Sequence, residues 1–463
     1  RVVLAELNSY AYDATVAGMG YVVMTTSSGF LISMTGFESQ VPTLLRTIVT
    51  RMQTVIEQIE TGEGGGLLEQ RFEQQRELLQ QAMRNTEKDA PYKQASYWLN
   101  QVMEDKVWHV DEYSKVLDDD SVCNLRAVAA AAKRMMSDTT LEVLLTGGGA
   151  AMEGEAGPAK AAAIGNELRE LLPNSSEGPS TTTTGKSGTI KLPTEPESNG
   201  LLLRRIVRDP TNENSAVQMH FQTSVEVGDG TSDDEQAGFT GENQRMSVTE
   251  HAALDVIARL AYPSIFKTLR TQQQLGYLVS GYAGRFDGIA GLTLVCQSSN
   301  TPPPEIQRRM DEWMVTFGDE IGAMSEEDIS TNAKALAASI IQKSDSMLDQ
   351  HQIYAGEIQQ MRYDFNRRER RAPEVANVTK ADVVAAWNKW YAPGVTTRKP
   401  LMLHFYSTKD AEAEGLMSTD TCADDADADG STDGTTVLTD LASLRNFKEG
   451  RPKYPSVSLK WWS

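Results

Sequence analysis

Apolar residues recur every three to four positions through much of the first third of the chain, which is the spacing of an amphipathic helix. Leu44, Ile48, Met52 and Ile56 follow Pro42 in this way, and a proline suits the first turn of a helix. The same pattern predicts further helices over Leu67 to Met83, Tyr92 to Met103 and Val122 to Met136. The run from Leu141 to Leu145, just before three glycines, is instead typical of a short strand.

The second half of the chain mixes strand and helix patterns. Ala216 to Gln222 alternates between apolar and polar residues, which predicts a strand. Ser247 and Glu250 have the spacing of a capping box, and an apolar run with helical period follows as far as Leu260. Pro263 is expected to end that helix or to begin another.

Two segments share one order of predicted elements. Gly20 and Gly29 each begin a short apolar run, after which Pro42 introduces an amphipathic helix. Gly276 and Gly291 begin equivalent runs, and prolines and a second amphipathic helix again follow. We interpret this as a duplicated unit, although a chance repeat of a common arrangement is the alternative. The predicted fold class is α+β, with two related domains that each pack a mostly antiparallel sheet against several helices.

Two segments of low complexity divide the chain. Residues 173–200 consist largely of Ser, Thr, Pro and Gly and predict an interdomain linker. Residues 408–434 carry nine acidic residues and few apolar ones, which predicts a solvated, disordered acidic loop. The predicted domains are therefore residues 1–172 and residues 201–463, with the acidic loop inserted in the second.

The composition excludes several classes of function. The chain has 44 Lys and Arg against 64 Asp and Glu, a formal charge of −20, whereas a simple nucleic-acid-binding protein needs a basic surface. No apolar run approaches the length of about 20 residues that spans a membrane. Cys123, Cys296 and Cys422 lie far apart, so we expect neither a disulfide scaffold nor a cysteine-based zinc site.

The first residue is Arg1, and no charged-then-apolar signal region follows it. We therefore expect the natural N-terminus to be missing. The scattered cysteines favour a reducing compartment, so we predict an intracellular, cytoplasmic location and leave a mitochondrial one open.

The five histidines offer no complete metal site. They are widely scattered and none has a second histidine three or four residues away, the offset that places two ligands on one helix face: His109, His220, His251, His351 and His404. Glu250 and His251 would complete an inverted zinc motif, His-x-x-Glu-His, only if position 247 were histidine, and it is Ser247. We predict no metal site in this chain.

Arg270 and Tyr277 are the candidate site residues. Arg270 is expected near the end of a helix and Tyr277 near the beginning of the next strand, so a turn can aim a guanidinium and a phenol at one cleft. Two such donors can bind a peptide carbonyl or an oxyanion. The alternative is structural: Arg270 caps helix carbonyls and Tyr277 is half-buried packing.

The same stretch carries a family resemblance. Pro263 to Tyr277 (PSIFKTLRTQQQLGY) resembles the pattern Pro-x-x-Phe-x-x-Leu-Arg-Thr-x-x-Gln-Leu-Gly-Tyr in the C-terminal half of insulin-degrading enzyme, nardilysin and pitrilysin. Other segments agree in order: Tyr10 to Tyr21, Pro91 to Tyr97, Asn446-Phe447-Lys448 and Tyr454-Pro455. The resemblance covers nearly the whole chain apart from the linker and the acidic loop.

The resemblance implies a zinc metalloendopeptidase of four related α+β domains, whose two halves close around a peptide. Its zinc motif lies in the first domain, where the motif glutamate acts as general base. This chain resembles the third and fourth domains only, with the opening strands of the third missing. It would be the non-catalytic, substrate-enclosing half of the chamber, inactive alone, with zinc held by the N-terminal catalytic half.

By resemblance, Arg270 and Tyr277 match positions that reach the catalytic chamber and hold substrate beside the zinc, which favours the site over the structural alternative. The expected partners are peptide substrates and the N-terminal catalytic half, with a homodimer left open and neither nucleic acid nor membrane expected. The alternative function is a non-enzymatic scaffold or protein-binding member of the same fold.

Overall fold

The computed structural model describes residues 12, 14–26, 29–37, 39–63, 65–137, 139–148, 152–172, 188–195, 200–225, 246–286, 288–360, 362–416 and 435–454. Most of the predicted linker and of the predicted acidic loop lies outside these residues. In the described part of the chain, no helix is both long enough and apolar enough to cross a membrane.

Short strands are distributed along both halves of the chain. They are β1 (Gly20–Thr26), β2 (Gly29–Thr35), β3 (Thr189–Ile190), β4 (Leu201–Ile206), β5 (Ser215–Val225), β6 (Leu278–Phe286), β7 (Ile289–Ser298), β8 (Pro400–Tyr406), β9 (Thr436–Leu438) and β10 (Lys453–Tyr454).

Helices make up most of the remaining structure. They are α1 (Val41–Thr61), α2 (Gly65–Asn85), α3 (Pro91–Met103), α4 (Val110–Asp118), α5 (Leu125–Ser137), α6 (Ala156–Leu171), α7 (Val248–Ile265), α8 (Pro303–Ala323), α9 (Glu326–Ile340), α10 (Met347–Gln359), α11 (Arg367–Ala376), α12 (Lys380–Trp390), α13 (Thr408–Ala413) and α14 (Leu441–Lys448). A π-helical segment, Phe266–Gln272, directly follows α7.

The chain divides into two compact units. The first unit comprises Arg1–Asn85, Trp108–Lys186 and Ser344–Gln359, and the second comprises Thr86–Val107, Ser187–Lys343 and Gln360–Ser463. These units group residues that are close in space, and each combines several separate stretches of the chain. They do not test the domain boundaries drawn from the sequence at residues 172 and 201, which stay a prediction.

The first unit packs a helix against an antiparallel hairpin. Strands β1 and β2 pair from Gly20 opposite Thr35 to Thr26 opposite Gly29. The predicted apolar face of α1 carries Leu44, Ile48 and Met52 onto the hairpin, where apolar side chains of both strands receive it: Tyr21, Val23, Phe30, Ile32 and Met34. The helical period in the sequence thus corresponds to a buried helix face.

The second unit is built on a mixed sheet of six strands in the order β6-β7-β5-β8-β4-β9. The pairs β6-β7, β7-β5 and β5-β8 are antiparallel, whereas β8-β4 and β4-β9 are parallel. Strand β6 lies at one edge of the sheet. The predicted α+β class is confirmed, with helices packed on both faces of this sheet.

Alternation along the strands divides the second unit into two apolar layers. Val217, Met219 and Phe221 of β5 face a layer that also includes the buried sides of α7, α8, α9, α11 and α12. Leu401 and Leu403 of β8 face the opposite layer, which α3 and α14 cover. Successive side chains of a strand point to opposite faces, so each strand contributes to both layers.

The repeated order of elements predicted from the sequence is present. Strands β1 and β2 are followed by α1, and strands β6 and β7 are followed by α8; each of these helices has a proline in its first turn. Prolines suit that position because the first backbone N–H groups of a helix have no acceptor within it.

Two expectations about strands and linkers differ from the structure. Leu141 to Leu145, predicted as a strand, forms no regular element, because a run of four apolar residues and one glutamate does not define an element without a pairing partner. Part of the predicted linker is incorporated in the second unit: Thr189–Ile190 pairs with β10, and Leu192 is buried and donates its backbone N–H to the Gln222 side chain over 2.9 Å.

Two expectations about helices also need correction. Helix α7 continues through Pro263 to Ile265 and leads directly into the π-helical segment. Ser264 explains this, because it is buried, donates to Glu320 over 2.6 Å and accepts from the Trp313 indole over 3.1 Å. Packing outweighs the cost of an internal proline, about 3 kcal/mol. The predicted acidic loop begins with a helix, α13, in which Asp410 and Ala411 are buried.

Candidate functional site

Arg270 and Tyr277 lie on either side of the turn that joins the π-helical segment to strand β6. Arg270 is within the segment Phe266–Gln272, and Tyr277 directly precedes Leu278, the first residue of the edge strand. The helix, turn and strand predicted from the sequence are therefore present. The turn brings the two side chains together, as the spacing predicts.

The Arg270 guanidinium lies between two aromatic rings. Its Cζ is 4.6 Å from the centre of the Tyr277 ring and 4.5 Å from the centre of the Phe266 ring. A guanidinium within about 6 Å of a ring centre is attracted by the negative face of the ring. Both rings thus hold the arginine side chain while leaving its N–H donors free for hydrogen bonds.

Tyr277 is 85% exposed, which is unusual for a tyrosine in a regular turn. In the part of the chain that the structure describes, the Arg270 guanidinium makes no hydrogen bond to a helix carbonyl and no ion pair. The geometry therefore differs from the structural alternative, in which Arg270 caps a helix and Tyr277 is half buried. Contact with a substrate stays a prediction.

The turn is fixed by backbone contacts. The Gln273 N–H donates to the Thr268 carbonyl over 3.0 Å, and the buried Leu275 donates to the Leu269 carbonyl over 2.8 Å. Gln274 has a φ of 50°, a left-handed conformation that costs free energy in a residue with a side chain. Wide π-type turns and strained residues are frequent at functional sites, where the surrounding structure maintains them.

Gly276 is required at its position by close backbone packing. A Cβ atom built on Gly276 would lie 1.9 Å from the carbonyl oxygen of Gln297 and 2.8 Å from its carbonyl carbon. No side chain fits there unless the backbone moves. The glycine therefore allows the turn to approach the end of β7 closely, and this approach places Tyr277 beside Arg270.

The near-match to an inverted zinc motif does not form a metal site. The Ser247 hydroxyl accepts the Glu250 backbone N–H over 3.1 Å, and the Glu250 carboxylate accepts the Ser247 N–H over 2.8 Å. Glu250 also pairs with Lys389. Burial alone raises the pKa of Glu250, but Lys389 and the Ser247 hydrogen bonds outweigh burial and lower it. The Ser247 hydroxyl and the Glu250 carboxylate are both engaged in the helix cap, so they do not fit a zinc ion.

The other histidines are also used structurally. His109 caps α4, His220 bonds to Thr293 over 2.9 Å, His351 to Thr146 over 2.9 Å, and His404 to Gln307 over 2.6 Å. His251 is buried in α7. Across the described ranges, no three His, Cys, Asp or Glu side chains gather as a metal site would require.

Sequence reasoning missed two aromatic neighbours of the pair. Phe266 contacts Arg270, and the Tyr262 ring centre is 6.1 Å from that of Phe266. Tyr262, Phe266 and Arg270 are four residues apart, so their side chains share one face of a helix. This spacing is visible in the sequence and places both rings on the same helix face as Arg270, but it does not show that this face is exposed.

Two family models match separate parts of the chain. The middle or third domain of peptidase M16 matches residues 1–116, and the C-terminal lobe domain 4 of PQQ synthase PqqF-like proteins matches residues 256–355. The second match contains both Arg270 and Tyr277.

Whole-chain comparisons agree with these matches. Insulin-degrading enzyme of Homo sapiens is 24% identical over 464 residues, covering 98% of this chain and 40% of that protein. The crystal structure of pitrilysin superimposes with a TM-score of 0.70 at 14% identity, covering 98% of this chain and 41% of that one. A peptidase M16 inactive domain from Pseudomonas fluorescens superimposes with a TM-score of 0.50 at 12% identity, covering 85% of this chain and 82% of that one.

The chain has a pitrilysin-like α+β fold, and the two models that match it describe a domain of peptidase M16 and a domain of PqqF-like proteins. The predicted resemblance to the C-terminal half of insulin-degrading enzyme and pitrilysin is confirmed. The chain spans about 40% of the length of the curated relatives it matches.

Proposed function

We propose that this chain is the non-catalytic, substrate-enclosing C-terminal half of a zinc metalloendopeptidase that degrades peptides in a closed chamber. In this proposal, Arg270 and Tyr277 donate hydrogen bonds to carbonyl oxygens of a bound peptide. The chain also excludes water and large folded proteins from the chamber, so that cleavage follows closure.

One observation carries the proposal. The Arg270 guanidinium is fixed between two rings and has no anionic partner in the described residues, while Tyr277 is 85% exposed. An arginine and a tyrosine that stabilise their own fold normally bond to neighbouring carboxylates or carbonyls. A preorganised pair of free donors is instead suited to a ligand, and a peptide carbonyl accepts from both groups.

In this proposal, zinc is bound by another part of the intact enzyme and not by this chain. Ser247 and Glu250 of this chain form a helix cap, and Glu250 also pairs with Lys389, so the near-match to the motif does not fit the ion. We propose that an N-terminal half carries the complete motif and that the zinc there activates water. Arg270 and Tyr277 would orient the peptide and stabilise charge on its carbonyl oxygen.

The test is kinetic and uses the longest natural form of the protein that contains a His-x-x-Glu-His half. Arg270→Ala should lower kcat/KM for a short fluorogenic peptide about 10- to 100-fold, because one charge-assisted donor near the reacting carbonyl is lost. Tyr277→Phe, which removes only the hydroxyl, should give a smaller loss of about 3- to 10-fold, the effect of one neutral hydrogen bond. Zinc content should remain unchanged in both variants.

Arg308→Ala is a matched control, because Arg308 is an exposed arginine of the same unit that pairs with Glu305 over 2.7 Å. It should leave kcat/KM unchanged, since surface ion pairs contribute little. If Arg270→Ala behaves like Arg308→Ala, the pair has no part in the reaction.

A second candidate is a non-enzymatic scaffold or protein-binding member of the same fold. The likeness to an M16 inactive domain, of which the matched region covers 82%, favours it. The sequence of the gene upstream of Arg1 separates the two. An in-frame His-x-x-Glu-His region supports the peptidase, whereas a complete gene without one supports the scaffold.

A further inference from the structure

A buried hydroxyl lies where α7 passes into the π-helical segment. Ser264 is 8% exposed and directly follows Pro263, and its side chain has two partners on α8. It donates to the Glu320 carboxylate over 2.6 Å and accepts from the Trp313 indole N–H over 3.1 Å. Both distances are typical of hydrogen bonds, so the hydroxyl is held from two directions. We call Ser264, Trp313 and Glu320 the serine clamp.

The two partners of Ser264 project from one face of α8. Trp313 and Glu320 are seven residues apart in that helix, which is nearly two turns, so they lie on the same side. The Trp313 ring is buried and stacks on Phe317, with the ring centres 4.8 Å apart. Because this packing fixes the ring, it also fixes the direction of the indole N–H. The clamp therefore ties the end of α7 to a side chain that cannot turn freely.

The backbone changes its hydrogen-bond pattern just after the clamp. The Phe266 N–H donates to the carbonyls three and four residues before it. The Gln273 N–H instead donates to the Thr268 carbonyl, five residues before it, which is the π-helical pattern. The transition between the two patterns thus includes Arg270. Its position affects the direction in which the Arg270 side chain leaves the helix, because an α-helix turns about 100° per residue and a π-type turn is wider.

Apolar packing alone does not fix this transition. Ile265 and Leu269 anchor the segment in the core of the second unit, and both are fully buried. Apolar contact has no preferred direction, so it tolerates a small rotation of the segment. A hydroxyl between one donor and one acceptor allows less displacement, because a hydrogen bond weakens steeply away from its preferred geometry. The apolar side chains therefore select the buried side, and the clamp is suited to fix the register.

We propose that the serine clamp sets the register of the π-helical segment and thereby holds Arg270 in the orientation that catalysis requires. Ser264, Trp313 and Glu320 are then positioning residues, which act through Arg270 and do not contact the substrate. This inference rests on the proposed function, because the clamp has a role in the reaction only if Arg270 has one. It extends the functional residues to α8, a helix outside the turn that carries the site.

The experiment is a double-mutant cycle in the longest natural form that contains a His-x-x-Glu-His half, with a short fluorogenic peptide as substrate. Ser264→Ala should lower kcat/KM about 5- to 20-fold, mainly through kcat, because a small misplacement of a donor near the reacting carbonyl is costly. In the Arg270→Ala background, the same change should lower kcat/KM by less than about twofold, because the group that the clamp positions is absent.

Glu320 provides the same comparison through an exposed residue, so the cycle does not depend on the folding of Ser264→Ala. Glu320→Ala should resemble Ser264→Ala in both backgrounds. Glu320→Gln keeps an oxygen that accepts from the serine, so it should lose less than about threefold. Asp319→Asn is the control for the change of charge, because Asp319 is the exposed carboxylate next to Glu320 in α8, and it should leave kcat/KM unchanged.

Ser215→Ala is the matched control for a loss of stability. Ser215 is also buried in the second unit, donates to the Asp410 carboxylate and accepts a backbone N–H over 2.8 Å. Its loss should lower the midpoint of urea unfolding about as much as the loss of the Ser264 hydroxyl, because both leave buried groups without a partner. Only Ser264→Ala should change kcat/KM.

Hydrogen exchange measured by mass spectrometry adds a result that does not depend on catalysis. The backbone amides of residues 263–277 should exchange faster in Ser264→Ala than in the wild type, because the segment opens locally when the clamp is lost. They should exchange at the wild-type rate in Ser215→Ala. Unchanged exchange of this segment in Ser264→Ala would overturn the inference.

The kinetic outcomes distinguish this inference from the proposed function. If Ser264→Ala lowers kcat/KM equally in both backgrounds, or has no more effect than Ser215→Ala, the clamp does not act through Arg270. The inference is then wrong, and the proposed function stands if Arg270→Ala is impaired. If Arg270→Ala itself leaves kcat/KM unchanged, the proposed function fails, and the role of the clamp in the reaction fails with it.

Discussion

At the scale of single residues, the candidate site depends on Gly276, which has no side chain. Gly276 allows the turn to approach Gln297 so closely that a Cβ atom would lie 1.9 Å from its carbonyl oxygen. Tyr277 follows directly, so the position of its ring beside Arg270 depends on this approach. A substitution of Gly276 should therefore disturb the site, although it changes neither Arg270 nor Tyr277.

Gly276→Ala should destabilise the second unit by about 1–3 kcal/mol, because the backbone of the turn or of β7 has to move. The free energy of unfolding in urea measures this loss. Gly322→Ala provides the control, since Gly322 lies within α8 and a Cβ atom there would have no neighbour within 4 Å. It should be neutral or stabilising by up to about 1 kcal/mol, the difference in helix propensity. Equal midpoints for the two variants would mean that the turn adapts freely.

The sequence identified some of these residues but not others, for a physical reason. Arg270 and Tyr277 could be predicted because they belong to a linear pattern, Pro263 to Tyr277. The exposure of Tyr262 could not, because an aromatic residue in an apolar helix is normally buried and only the packing of α7 shows which side faces solvent. Likewise the need for Gly276 depends on a residue 21 positions away, Gln297.

At the scale of elements, local chemistry determines how α7 begins. The predicted capping box is present: Ser247 and Glu250 satisfy each other's backbone N–H groups over 3.1 and 2.8 Å. The first backbone N–H groups of a helix otherwise lack acceptors, so a cap of this kind fixes the start of the helix. Helix α7 leads directly into the π-helical segment that contains Arg270, so the cap lies at the start of the helix that precedes the candidate site.

Ser247→Ala should lower the stability of the chain by about 1 kcal/mol, since one N–H at the start of α7 loses its acceptor. Chemical denaturation provides the measurement. Ser339→Ala is the control, because Ser339 is an exposed serine inside α9 whose hydroxyl donates to the Leu336 carbonyl of the same helix over 2.6 Å. Alanine favours the helix there, so that variant should be unchanged or slightly more stable. A loss in the Ser339 variant as large as in the Ser247 variant would contradict the assigned role of the cap.

Elements with a strong local signal were predictable, and elements defined by distant partners were not. Helix α1 follows from the spacing of Leu44, Ile48 and Met52 alone. Strand β3, in contrast, consists of two residues that pair with β10 more than 260 positions later, so its sequence reads as linker. Helix α7 passes through Pro263 because buried contacts of Ser264 hold it, and no local rule contains those contacts.

At the scale of the whole molecule, the sheet of the second unit encloses titratable groups that the site does not use. His220 on β5 and His404 on β8 are buried, and burial lowers the pKa of each imidazole to about 3. The charge of Arg204 contributes to the lowered pKa of His404. Both imidazoles are therefore neutral in the folded chain at neutral pH.

Whether acid stabilises or destabilises the fold depends on how the histidines bind protons in the unfolded and in the folded chain. The unfolded chain has histidines of ordinary pKa, about 6.5, and binds protons there as the pH falls, whereas the folded chain does not until about pH 3. The stability that each neutral histidine contributes is thus fully present above pH 6.5 and is lost as the pH falls from 6.5 toward 3. Each group should add about 1.4 kcal/mol per pH unit to the slope in this window.

His220→Gln removes one such group and keeps a polar side chain near Thr293, its partner at 2.9 Å. The variant should be less stable at pH 7 because the buried site is altered, but its free energy of unfolding should depend less steeply on pH between about 5.5 and 4, by about 1.4 kcal/mol per unit. Urea titrations at a series of pH values measure the slope.

His404→Gln should reduce the slope by the same amount, and the double variant by about 2.8 kcal/mol per unit, because the two imidazoles lie on different strands of the sheet and should act independently. Carboxylates contribute equally to the slopes of the wild type, the two single variants and the double variant. The differences between these slopes therefore report on the histidines alone. Identical slopes for the wild type and the double variant would place the loss of stability in acid elsewhere in the molecule. Reduced slopes would identify the two buried histidines in the sheet of the second unit, and not the net charge of −20, as the origin of that pH dependence.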